Sequence, residues 1–154
     1  MRNIHEWFQS YGSDHRHPTN QAIHWVCVPV ILWCVIALLW VIPVPAGMLR
    51  QGAWSVLAMF VTFLFYQRLS RRIGWVMAVV FIVLALITAG LYQGIGTFGL
   101  LWLAVALFVL AWIGQFIGHH IEGRRPSFLT DLAYLLIGPA WLAGKLMRRA
   151  GWSY

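Results

Sequence analysis

Histidine and carboxylate side chains carry most of the chemistry this chain could perform. The six histidines are His5, His15, His17, His24, His119 and His120, and the four acids are Glu6, Asp14, Glu122 and Asp131. All ten lie outside residues 25–118. Imidazole is the commonest metal ligand near neutral pH. Together with carboxylate it suits non-haem iron, zinc or manganese. His119 and Glu122 are three residues apart and would share a helix face, as would Asn20 and His24, four apart. A site could form where the chain around 15–24 meets the chain around 119–122.

An ordinary reading stands beside the functional one. Interfacial histidines commonly snorkel among head groups, and His5 and His17 fit that description. His24 lies inside an apolar run and needs a polar partner, because ionisable groups in a membrane are costly. For the stretch His119-His120-Ile121-Glu122 the sequence leaves both readings open. Its spacing matches no H-x-E or H-E-x-x-H zinc motif. A di-haem bundle would require paired histidines deep in opposing helices, and residues 52–92 contain none. The ten tryptophans are spread along the chain, which fits interfacial belts and packing.

The elements that must position these groups are apolar. The chain is 61% hydrophobic and 10% charged, against roughly 45–50% and 25% for soluble domains. A water-soluble fold of this size could not hide that surface, whereas lipid can solvate it. The reading is one membrane-embedded, all-α domain over residues 1–154. An amphipathic helix comes first, at 1–12, lying along the interface or packed on the bundle, and carrying Ile4, Trp7, Phe8 and Tyr11 on one stripe. Four apolar runs follow at about 21–42, 52–69, 73–92 and 100–120, each near the roughly 20 residues needed to cross a bilayer. A last segment at 127–146 contains Gly138-Pro139, which should kink or interrupt it into a re-entrant pair.

The formal charge of +7 comes from basic residues that flank the apolar runs, where they bind anionic head groups or set topology. With four crossings, Arg2, Arg16, Arg68, Arg71, Arg72, Arg124, Arg125, Lys145, Arg148 and Arg149 share one side, and only Arg50 lies on the other. That asymmetry places the N- and C-termini in the cytosol by the positive-inside rule. All the histidines and acids fall on the same side. The first 20 residues lack the apolar core of a cleavable signal, so insertion into a bacterial inner membrane is expected to start at the first long run. Basic residues that flank apolar runs bind lipid head groups rather than nucleic acid. Cys27 and Cys34, seven apart, would be about 10 Å apart along a helix, too far for a bridge, and read as packing residues.

Two stretches resemble a known family. The first is Tyr11-x3-His15 followed by Pro18-x-Asn20-x3-His24-x4-Pro29, and the second runs from Gln115 through Gly118-His119-His120-Ile121-Glu122 to Pro126. They resemble the paired motifs of the 2-hydroxy fatty acid dioxygenases, with similar spacing of the apolar runs between them. The chain differs from the family pattern at Cys27, His120, Gly123, Ser127 and Thr130-Asp131, and keeps the shared histidines. The resemblance implies an Fe(II)-dependent reaction with O2 that removes one carbon from a 2-hydroxy fatty acid. It implies His15, His24 and His119 as iron ligands, with Glu122 as a fourth ligand or an outer partner. His120 and Asp131 are further candidate ligands. Asn20 would orient a ligand or meet the substrate hydroxyl. Arg124 and Arg125 would hold the substrate carboxylate, and Tyr11 would contact substrate. Expected partners are the fatty acid, O2, membrane lipid and further copies of the chain in a homo-oligomer. The rival reading is a non-enzymatic lipid-binding or assembly protein whose histidines meet head groups or adventitious metal. A metal-dependent lipid hydrolase, or an oxidase of another substrate, is a further alternative.

Overall fold

Pro18 sets where the first long helix begins. Its missing N–H costs nothing at the first helical position, and the His17 side chain caps the start by accepting from the Thr19 backbone N–H. The computed structural model describes residues 3–45, 50–125 and 133–154. Among these there are five helices and no strands: α1 (Ile4–Ser13), α2 (Pro18–Trp40), α3 (Ala53–Leu69), α4 (Arg71–Glu122) and α5 (Tyr134–Arg149).

α2 and α4 are long and apolar enough to cross a membrane, and α3 is a shorter apolar helix. α4 has 52 residues and holds one non-helical position, Gly96, at φ 67° and ψ −175°. Only glycine populates that region readily. The chain reverses there, so α4 is two limbs, 71–95 and 97–122. Arg72 on the outgoing limb hydrogen-bonds Ser153 near the C-terminus, while Glu122 at the end of the returning limb meets Arg16 and His17. Both ends of α4 therefore lie at the same end of the bundle. The returning limb runs antiparallel to α2: Cys34 and Ala37 pack with Leu100 and Ala104, and Ile23 lies beside Gly114 and Gly118.

α2, α3 and the two limbs of α4 make four apolar rods, matching the four runs of the sequence in number and order. Their outer faces are left bare. Phe98 is 78% exposed, Leu86 68% and Val26 66%. Only 33% and 28% of the most apolar windows of α2 and α4 are buried, whereas a core helix of a soluble protein would be covered on most sides.

Both flanking segments pack against protein. The apolar stripe of α1 is covered by protein: Ile4, Phe8 and Tyr11 are buried, with Phe8 against Gly144 and Tyr154 and Tyr11 edge-on to Trp141. α5 continues through Gly138-Pro139 rather than breaking into a pair. Proline leaves a carbonyl without its helical donor. Beside that point the Tyr66 hydroxyl donates to the Leu136 carbonyl at 2.7 Å, tying α3 to α5. Residues 137–144 of α5 are wholly buried, so this helix is a wall of the bundle.

Candidate metal centre

Three imidazoles meet at the polar end of the bundle. His15 comes from the turn between α1 and α2, His24 from the second turn of α2, and His119 from the last turn of α4. All three are buried, at 1%, 1% and 5% exposure. One nitrogen from each lies within 4.8 Å of the others.

The hydrogen bonds fix the tautomers. His15 Nδ1 donates to the Tyr11 carbonyl at 2.6 Å and His24 Nδ1 donates to the Asn20 carbonyl at 2.9 Å. A carbonyl only accepts, so both Nδ1 atoms carry hydrogen and both Nε2 atoms present lone pairs. Those two Nε2 atoms face each other at 3.0 Å. Two lone pairs at that distance repel unless a proton or a cation lies between them. Burial holds His15 below its ordinary pKa, against the pull of the Tyr11 carbonyl and of Asp14 and Glu122, so the neutral form is favoured. A metal ion fits better than a proton. An ion about 2.0–2.1 Å from each nitrogen would set cis ligands about 3 Å apart. His119 Nδ1 is buried with no hydrogen-bond partner, a further nitrogen available to an ion. An Nδ1–H bonded to a carbonyl is also the usual outer arrangement of metal-bound histidine.

Glu122 braces this group without entering it. Its carboxylate accepts from the backbone N–H of Arg16 at 2.8 Å, the N–H of His17 at 2.8 Å and the Asn20 side-chain amide at 3.1 Å. Carboxylate at a helix N-terminus also meets the positive end of the helix dipole. Asn20 is wholly buried and joins the two halves, bonding Glu122 through its side chain and His24 through its carbonyl. From the other side Lys145 on α5 donates to the Gln21 side chain at 2.7 Å, and Gln21 donates to the His15 carbonyl at 2.8 Å. The turn carrying His15 is thus held by α2, α4 and α5.

An apolar cavity of about 280 Å³ opens from the imidazoles. α2 contributes His24, Val28, Ile31, Leu32 and Val35, the returning limb of α4 contributes Phe108, Trp112, Gln115 and His119, and α1 and α5 contribute Tyr11, Tyr134, Leu135, Leu136, Gly138 and Pro139. Tyr11 is stacked on His15, with ring centroids 4.0 Å apart.

The other residues expected at the site are placed as follows. Glu122 is not in the three-histidine group; its oxygens accept from the turn before α2 and from Asn20, the position of an outer partner. His120, the next residue after His119 on α4, is exposed and is not in the three-histidine group. Arg124 donates to Asp14 at 3.0 Å, Arg125 is exposed, and neither lines the cavity, so the substrate-carboxylate role expected of them has no support here. Asp131 lies outside the described residues. His5 stacks on Tyr154 and His17 caps α2. Gln115, which opens the second motif, and the segment that forms α5 carry no site role in the sequence reading, yet both line the cavity. A Gly-x-x-x-Gly stretch, 114–118, could have signalled the close approach of α4 to α2. A side chain at Gly114 would strike Cys27, and one at Gly118 would strike the Asn20 amide oxygen.

Fold and site together define a helical protein with a buried group of three imidazoles, able to hold a metal ion, at the mouth of an apolar cavity. The chain belongs to the Mpo1-like family, described as 2-hydroxy-palmitic acid dioxygenase Mpo1-like, whose model matches residues 1–150. No curated protein and no solved structure matches it.

Proposed function

We propose that this protein is an Fe(II)-dependent membrane dioxygenase that cleaves 2-hydroxy fatty acids to the acid one carbon shorter. The observation that carries the reading is the pair of buried Nε2 lone pairs 3.0 Å apart at the mouth of an apolar cavity, in a chain of this family. His15, His24 and His119 would hold the iron. When bound, iron supplies the one-electron reactivity toward O2 that no amino-acid side chain provides.

The chain's own residues do the rest. The apolar walls of α2 and α4 receive the acyl chain, and Tyr11 flanks its head. Glu122 and Asn20 orient His15 and His24. α1 and α5 close the site from water, which strengthens electrostatic interactions inside it. The overall equation balances with one O2 per 2-hydroxy acid, giving the shortened acid, CO2 and water, so no reductant is required.

The bare apolar faces of the four rods support four crossings of a bilayer, with the basic, imidazole-bearing end and both termini in the cytosol of a bacterial cell. The same faces would allow a homo-oligomer. A water-insoluble substrate could then enter the cavity from lipid.

The test is O2 uptake and product mass on anaerobically purified, iron-loaded protein given a 2-hydroxy fatty acid. Uptake of one O2 per acid, with a product one carbon shorter, supports the reading. Iron binding without uptake removes the substrate assignment. Failure to bind iron at all favours the non-enzymatic alternative.

A further inference from the structure

Gln115 sits one helical turn before His119 on the same face of α4. It is buried, at 6% exposure, in the wall of the cavity. It lines the same cavity as the His24 imidazole. A buried primary amide in an apolar wall is costly unless hydrogen-bonded, so its partner in the metal-loaded protein matters.

His24 has two ring nitrogens. Nδ1 is committed to the Asn20 carbonyl, and Nε2 is the atom facing His15 and any shared ion. With a metal bound, His24 has nothing left to offer Gln115. The amide must then find its partner in the cavity, which it lines beside the two imidazoles.

The head of the substrate has two parts there. Among the described residues no lysine or arginine lines the cavity, which leaves the metal as the positive partner for the carboxylate. The hydroxyl on the neighbouring carbon both donates and accepts. A carboxamide matches that pair, since its oxygen accepts and its nitrogen donates. A carboxylate could not donate to the amide oxygen, and an unsubstituted chain offers it nothing.

We infer that Gln115 is the residue that reads the 2-hydroxyl group, and so separates 2-hydroxy acids from ordinary fatty acids. This rests on the proposed function. The juxtaposition behind it is a buried carboxamide lining the same cavity as two clustered imidazoles, with mostly apolar neighbours and no lysine or arginine among the described lining residues.

The experiment is anaerobic binding of a 2-hydroxy fatty acid and of the unsubstituted acid of equal length to iron-loaded protein. Iron content is measured on the same samples. Wild type should prefer the hydroxy acid. Gln115→Leu should keep its iron and lose roughly five- to tenfold of that preference, through weaker binding of the hydroxy acid alone. Gln115→Asn, with a shorter reach, should fall between. An unchanged preference in both variants overturns the inference, as does equal weakening of both acids. Loss of iron from both variants also overturns it, because the amide would then serve His24. If wild type holds iron yet shows no preference, the inference and the substrate assignment fall together. If wild type discriminates and Gln115→Leu does so equally well, only the inference falls.

Discussion

At the end of the bundle that carries the imidazoles, hydrogen bonds join residues more than a hundred positions apart: Glu122 to Arg16, His17 and Asn20, Lys145 to Gln21, and Ser10 to Tyr134. At the Gly96 end, the hydrogen bonds among the described residues are local. Ser55 to Ile36 spans 19 positions, Trp54 to Pro43 spans 11, and Thr97 meets Tyr92. The rods there are held chiefly by apolar packing around Trp33, Cys34, Ala37, Leu100 and Ala104. One end is built to hold particular atoms in place. The other needs only to turn the chain and present apolar surface. Substitutions at the first should therefore change ligand binding, and those at the second should change stability alone.

The largest effect should come from the imidazoles. His24→Ala or His119→Ala should abolish stoichiometric metal binding and turnover together, measured by metal analysis and O2 uptake. Full activity in either variant would remove that residue from the ligand set. Glu122→Ala comes next. It releases two backbone N–H groups and Asn20 but no ligand, so metal affinity should fall by about 10–100-fold and be recoverable at high Fe(II). Complete loss, equal to that of His24→Ala, would make Glu122 a ligand after all.

At the opposite end, Gly96→Ala should lower stability by about 1–3 kcal/mol through backbone strain, since no neighbouring atom blocks a Cβ. Thermal unfolding should shift while the affinity for metal does not. A change in metal affinity would mean the two ends are coupled. The smallest effect should follow Arg124→Ala. An exposed ion pair contributes about 0–1 kcal/mol, so substrate affinity should move by less than about threefold. A larger loss would return this arginine to the carboxylate-binding role.

The same contrast explains what the sequence made legible. The four apolar rods could be read because lipid-facing helices need only length and hydropathy, and Gly94, Gly96 and Gly99 mark the reversal. His15, His24 and His119 could be picked out because polar groups inside or beside apolar runs require a reason to be there, and paired motifs supplied one. For Glu122 the sequence leaves two roles open, ligand or outer partner. Its spacing from His119 places both on one face, yet the partners of its carboxylate lie more than a hundred residues away. Gln115 looks like an incidental polar residue until α2 and α5 close around it. The wall made by α5 was hidden by Gly138-Pro139, a pair that breaks most helices and is tolerated here where Tyr66 meets the neighbouring carbonyl.

The account stands or falls on three imidazoles sharing one ion. X-ray absorption at the iron edge, with iron stoichiometry, on anaerobically purified and Fe(II)-reconstituted protein tests this most directly. The account predicts about one iron per chain with three imidazole nitrogens near 2.0–2.2 Å. Protein that retains no iron under these conditions, or iron bound without imidazole, would contradict it.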